Sequence, residues 1–198
     1  MSKLLALSVT GGTIGIGGFG AYNFRSSPNN VRYIKDRLEE SQYTPLKLAG
    51  NRHKSYWNRS LQEYKKKHPS LDVEGLKALC RQAFYSEYQD DDSYATARRY
   101  CVIPRKIFER IKDLSINFLD MKGNTDEREW QWLAFEYSYI GEGKRKLGTL
   151  EKSSTKDYKN NWTLLREACK KELTKDHWTP NYYSVLERVQ RWCVALPN

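Results

Sequence analysis

The sequence predicts an all-α protein, in which one N-terminal transmembrane helix precedes a helical domain of two degenerate repeats, each a helix plus an αα-hairpin. Three observations carry that reading. The stretch from Leu4 to Phe24 contains no charged side chain. Beyond it, apolar residues recur at spacings of three and four, the period of a helix buried on one face. A set of Trp, Cys and Arg-aromatic-Cys motifs then occurs twice, in the same order.

The N-terminal run matches the ~20 residues that an α-helix needs to cross a hydrocarbon core of about 30 Å. Its core is longer than the ~7–15 residues of a secretory signal and its cleavage motif is poor, so residues 1–25 are read as an uncleaved signal anchor. Arg25, Arg32, Lys35 and Arg37 follow it while only Lys3 precedes it. A bare positive-inside count keeps the large domain in the cytoplasm, whereas the short head and signal-like layout argue for export. Gly15, Gly17 and Gly20 spell G-x-G-x-x-G, the dinucleotide fingerprint, yet Arg25-Ser-Ser-Pro-Asn-Asn breaks the chain and helical periodicity follows in place of a second strand. Membrane helix packing explains the glycines better: Gly11 and Gly15 form G-x-x-x-G, and Thr13, Gly17 and Ala21 form a second ridge of small residues. An anchor-mediated homo-oligomer is one consequence, and a glycine-rich apolar segment without a partner is the plainer alternative.

Composition bounds the remainder. The chain has 198 residues and a formal net charge of +10, with a mean hydropathy of −0.82. Its 14 Tyr, 6 Trp and 6 Phe supply the apolar surface for real cores, which argues against disorder. Positive charge suits nucleic acid, an anionic membrane or an acidic partner. However, Lys65-Lys66-Lys67 and Lys144-Arg145-Lys146 are short clusters among interspersed acidic residues, so a solvated basic face is the simpler reading and nucleic acid is not an expected partner.

Residues 26–50 read as a linker with a short helix. Val73, Leu76, Cys80, Ala83 and Phe84 then hold one helical face after His68-Pro69-Ser70, and Tyr94, Ala97 and Cys101 continue after the Asp90-Asp91-Asp92 turn. Pro104 opens a helix with Ile107, Ile111, Leu114 and Phe118, closed by Gly123. Asn124 and Glu127 resemble an N-cap pair for a helix carrying Trp130, Leu133, Ala134 and Tyr137. Gly141, Gly143 and Gly148 make a loop. Tyr158, Trp162, Leu165 and Cys169 mark the next helix, and Thr179-Pro180 caps the last, with Tyr182, Val185, Val189 and Trp192 on its face. Trp57, Trp130, Trp162 and Trp192 are expected in the core.

The repeats are assigned to residues 51–122 and 123–198. Trp57 with Glu63-Tyr64 matches Trp130 with Glu136-Tyr137, an offset of 73 residues. Leu76 and Cys80 match Leu165 and Cys169 at 89, and Arg99-Tyr100-Cys101-Val102 matches Arg191-Trp192-Cys193-Val194 at 92. The growing offset places an insertion in the Gly141–Ser154 loop. Within each unit, one cysteine lies on the first hairpin helix and one near the end of the second, so Cys80 with Cys101 and Cys169 with Cys193 can form two disulfides. Axial counting fits the first pair better than the second, for which a mismatch of ~10 Å is expected at ~1.5 Å per residue. Buried free thiols are the competing reading.

No catalytic constellation is legible. His53, His68 and His177 have no metal-ligand spacing, and no C-x-x-C, H-E-x-x-H, G-x-S-x-G or phosphate-loop motif occurs. Neither enzymatic activity nor a cofactor or metal is expected. Asp90-Asp91-Asp92 lacks the glycine and terminal Glu of a calcium loop.

A short Met-Ser-Lys-Leu start, a Gly-rich apolar segment, lysine-rich helices punctuated by Trp, Cys-Val-x-Pro at Cys101–Pro104 and Arg-Trp-Cys-Val at Arg191–Val194 together give a recognisable layout. In that layout the chain resembles the large paralogous families of uncharacterised membrane-associated proteins in haemotropic mycoplasmas. The resemblance implies a surface-displayed protein of a wall-less bacterium living on red blood cells, from expanded families suspected of antigenic variation. The expectation is therefore a single-pass membrane protein with its helical domain outside the cell, presented for host interaction or as a variable surface. Its expected partners are the membrane and a host surface protein. A cytoplasmic-facing basic module binding nucleic acid or anionic lipid is the alternative.

Overall fold

The computed structural model describes residues 33–88 and 91–195. The expected anchor, with Gly11, Thr13, Gly15, Gly17 and Ala21, lies outside them. Among the described residues no helix is long and apolar enough to cross a membrane. They contain eight α-helices and no strand, so the all-α expectation holds. The helices are α1 (Ile34–Glu40), α2 (Lys54–Lys65), α3 (Val73–Phe84), α4 (Asp91–Tyr100), α5 (Ile107–Asp113), α6 (Glu127–Ile140), α7 (Tyr158–Leu173) and α8 (Tyr182–Trp192).

Buried side chains gather in two clusters. One is built by Ile34, Leu38, Trp57, Leu76, Phe84 and their neighbours from α1–α4; the other by Ile107, Ile111, Trp130, Leu165, Trp192 and their neighbours from α5–α8. α1 packs on α3 and α4, and α5 packs on α7 and α8. All four tryptophans expected in the core are buried.

The same contacts recur in both halves. Trp57 Nε1 donates to the Lys47 carbonyl at 3.0 Å, and Trp130 Nε1 donates to the Asp120 carbonyl at 3.0 Å. Around the Pro45–Val102 bridge, Leu46 N–H bonds the Cys101 carbonyl (2.8 Å) and Ile103 N–H bonds that of Thr44 (2.9 Å). Around the Phe118–Val194 bridge, Leu119 N–H bonds the Cys193 carbonyl (3.4 Å) and Ala195 N–H bonds that of Asn117 (2.9 Å). Tyr64 meets Tyr100 edge-on at 4.9 Å, and Tyr137 meets Trp192 edge-on at 5.1 Å. Cys80 is bonded to Cys101 and Cys169 to Cys193, each pair with Cα atoms 5.6 Å apart, and no cysteine is free.

Several boundaries differ from those expected. α1 is no linker helix, because Ile34 and Leu38 are buried in the first cluster. The boundary drawn at 122 cuts through the second cluster, which already holds Ile107, Ile111 and Leu119. α5 stops at Asp113 and does not reach Gly123. Ser115 adopts φ 56°, and the bonds Ser115 N–H to Lys112 O (2.9 Å) and Ile116 N–H to Ile111 O (3.2 Å) turn the chain out of the helix. α1 ends on the same double bond pattern, with Gln42 at φ 58°. Glycine is the usual residue at such an ending, so its sequence signal was missing at both. Phe118 sits in the extended segment after α5, where its position only mimics a helical period. Asp126 holds the N-cap position of α6 without a side-chain bond to the helix, its carboxylate accepting from Asp120 N–H instead, and Asn124 contributes its carbonyl to Glu127 N–H at 3.2 Å.

The added residues of the second half form the connection from α6 to α7, which contains two short 3₁₀ turns at Gly143–Arg145 and Lys152–Thr155. The axial offset expected for Cys169 and Cys193 is present but does not prevent pairing: Cys169 lies four residues before the end of α7 and Cys193 eleven after the start of α8, yet their Cα atoms stand 5.6 Å apart. Cys80, four residues before the end of α3, and Cys101, ten after the start of α4, repeat that arrangement, so the offset is common to both halves.

Each disulfide closes a loop of comparable length, with sequence separations of 21 and 24. Chain entropy assigns about 3 kcal/mol to a cross-link of this size. Cys80→Ala with Cys101→Ala, and Cys169→Ala with Cys193→Ala, should each lower the unfolding free energy by about 3 kcal/mol in denaturant titrations. Retention of full stability in either double variant would show that closure of that half does not depend on its covalent link.

Candidate functional site

The two halves meet at a polar junction built on α4, α5 and the segment joining α7 to α8. Arg110 of α5 is only 3% exposed, yet no carboxylate pairs with it among the described residues. Its guanidinium donates to the carbonyls of Gln42 (2.7 Å) and Ser41 at the end of α1 and lies 3.8 Å from the Tyr43 ring centroid. A helix C-terminus carries partial negative charge, so these carbonyls and the ring compensate a buried cation. On the other side, Arg99 donates to the Trp178 carbonyl (3.0 Å), Tyr183 Oη to the Arg98 carbonyl (3.0 Å) and Tyr182 Oη to the Arg105 carbonyl (2.8 Å). Burial pushes the phenols of Tyr182 and Tyr183 well above the ordinary range, which keeps them as neutral donors.

The three histidines do not converge. His53 Nδ1 accepts from Lys47 N–H at 3.0 Å beside α2, and His68 stacks on Tyr64 at 4.5 Å. His177 is buried in the junction and its Nε2 donates to the Arg99 carbonyl at 3.1 Å, an acceptor shared with Trp178 Nε1 at 3.2 Å. Its Nδ1 is buried without a partner. Desolvation pulls its pKa down to about 4, against the hydrogen bond to the Arg99 carbonyl, which favours the protonated ring. Among the described residues no group of three or more His, Cys, Asp or Glu side chains could hold a metal ion.

Two concave places stand out among the described residues. A cleft of about 160 Å³ between the halves is lined by Tyr56, Arg59, Arg105, Lys106, Glu109 and Asp176. Its arginines are already committed: Arg59 pairs with Asp176 (3.3 Å) and Arg105 with Asp113 (3.0 Å). A shallower groove of about 730 Å³ lies between α7 and the inserted connection, with Leu150, Leu164 and Ala168 among its lining residues and charges of both signs on its rims.

The departure from an ordinary surface is on α6. Its inner face is Trp130, Leu133, Ala134 and Tyr137, all buried. Its outer face carries Arg128, Trp132, Phe135 and Tyr139 at spacings of four, three and four, and the aromatics are 46%, 38% and 65% exposed. Phe135 meets Tyr139 at 5.0 Å and Tyr158 of α7 at 5.2 Å, so these three rings are continuous, and Trp132 lies one turn before Phe135 on the same face. With about half of each aromatic side chain open, roughly 300 Å² of ring surface faces solvent, comparable to the largest patch on a typical monomer. The equivalent positions on α2, 73 residues earlier, are Ser55, Arg59, Gln62 and Lys66, all exposed. The same architecture is thus built without aromatics there. Periodicity alone could not find this patch, because a helix that is apolar on two faces shows no clear amphipathic stripe.

No protein-family model, no curated protein and no solved structure matches the chain.

Two outcomes follow. The folded His177 pKa lies below its unfolded value of ~6.5, so its contribution is complete above that pH and is lost as pH falls towards 4. Unfolding free energy should drop by up to about 3 kcal/mol across that window, and His177→Gln, which keeps a donor for Arg99, should remove this part of the slope in titrations at several pH values. Replacing the outer α6 face by its α2 counterparts, Trp132→Arg, Phe135→Gln and Tyr139→Lys together, should change stability by no more than about 1 kcal/mol. A larger loss would make these rings part of the core.

Proposed function

We propose that this chain is a membrane-anchored helical protein whose duplicated domain is displayed outside the cell and serves as an interaction module. The observation that carries the proposal is the pair of disulfides, Cys80–Cys101 and Cys169–Cys193, which uses all four cysteines and places them at equivalent positions in the two halves. Thiols kept in a reducing cytoplasm have no reason to fall twice at bonding distance, whereas an oxidising exterior makes each pair a stable cross-link. The uncharged Leu4–Phe24 segment supplies the anchor, and its small-residue ridges, Gly11 with Gly15 and Thr13 with Gly17 and Ala21, supply a route to association within the membrane.

The repeated contacts support an origin of the two halves by duplication, with the second copy extended between α6 and α7. Layout supports a place among the surface families of haemotropic mycoplasmas, presented for host interaction or antigenic variation. The exposed aromatic patch supports binding as the activity. An intracellular basic module would need positive charge gathered beside exposed aromatics. On α6, Glu129 and Glu136 flank the patch instead.

Protease treatment of intact cells, followed with an antibody against α8, tests the placement. The proposal expects loss of the epitope before any cytoplasmic marker is cut. Protection until the membrane is opened would turn the domain inward and favour the intracellular alternative.

A further inference from the structure

We propose that the outer face of α6 is the docking site for a cationic amphipathic helix of a partner protein, an inference that rests on reading the domain as an interaction module. The spacing of Trp132, Phe135 and Tyr139 is that of a heptad seam, which presents its side chains to one side of a second helix, with Arg128 at the N-terminal end of the row. Helix-in-groove recognition uses this same set of anchors. Trp and Tyr are also the residues in which binding energy concentrates at interfaces.

Local charge selects the partner. The chain as a whole is +10, but α6 carries Glu127, Glu129 and Glu136 against Arg128 alone. Glu129 and Glu136 lie along the edge of the seam away from Tyr158, whereas Glu127 is engaged with Gln131 Nε2 at 2.9 Å. A partner helix with an apolar stripe and Lys or Arg beside it would cover the rings, meet the two carboxylates and place cations against aromatic faces. The same carboxylates disfavour an anionic bilayer and a nucleic-acid backbone, whose charges they repel. The α2 counterpart, with Arg59 and Lys66 in place of Trp132 and Tyr139, lacks both the apolar seam and the acidic setting, so binding should be confined to the second half.

The test uses the full chain and a fluorescent synthetic helix with Leu at the heptad a and d positions and Lys elsewhere, beside a twin with Glu for every Lys. Anisotropy titrations should show the Lys peptide binding at least about tenfold more tightly than its twin. Trp132→Arg with Phe135→Gln should weaken the Lys peptide about tenfold or more, and Glu129→Lys with Glu136→Lys should reverse the preference. Circular dichroism of each variant checks that α6 is intact, and substitutions at the exposed α2 positions Ser55 and Gln62 should have no effect. Equal binding of both peptides, no binding of either, or binding indifferent to Trp132 and Phe135 would overturn the proposal. Self-association of the chain, or vesicle capture, that depends on Trp132 would overturn it in favour of those occupants. The assay is independent of where the domain sits in the cell, so its failure is separable from failure of the surface reading.

Discussion

Each half of this protein depends on closing its beginning onto its end. The segment after the first short helix, Thr44–Lys47 or Asn117–Asp120, is hydrogen bonded to the segment after the last helix, Cys101–Ile103 or Cys193–Ala195. Three devices hold that closure. The tryptophan indole ties the next helix to the first segment, the disulfide ties the last helix to its hairpin partner, and an edge-on aromatic pair fills the space between. A handful of short helices would bury too little surface to hold such a ring on their own, and the covalent link removes much of the entropy that opening would release. Once both rings are closed, the polar junction can be built from groups with fixed positions. Arg110 reaches the end of α1 only because α1 and α5 are each held by their own cluster.

What the sequence made legible was the contact set that needs rare residues. Trp57 and Trp130, the two cysteine pairs and the Arg-aromatic-Cys motif all stood out, since tryptophan and cysteine rarely recur in register by chance. The helical period located α3, α7 and α8, because each buries one continuous stripe, and it picked out the inner face of α6 but not the aromatics opposite it. The starts of the halves were hidden. Gln42 and Ser115 hold positive φ where glycine would have signalled a helix end, so α5 was read through to Gly123. Extended segments of four residues carry no period, so the bridges at Pro45 and Phe118 and the true division of the halves could not be seen.

The candidate surface was the least legible part, and the recurrence of the same contacts in both halves is what exposes it. Trp132, Phe135 and Tyr139 share a helix with four buried apolar residues, and a reading by composition assigns all of them to the core. Only the comparison with Ser55, Arg59, Gln62 and Lys66 on α2 separates what the architecture requires from what one half has added. Where two halves share one packing scheme, the differences between them are concentrated where packing does not decide. The aromatic seam and the inserted connection before α7 are both of this kind.

The central claim is that two equivalent disulfides close the two halves of a domain held in an oxidising compartment. Its most direct test is the thiol state of the protein in its own cells: acid quenching, alkylation without reductant, and mass spectrometry of the proteolytic peptides. The account predicts Cys80 linked to Cys101 and Cys169 linked to Cys193, with no alkylated cysteine. Four alkylated cysteines, or links that cross between the halves, would contradict it.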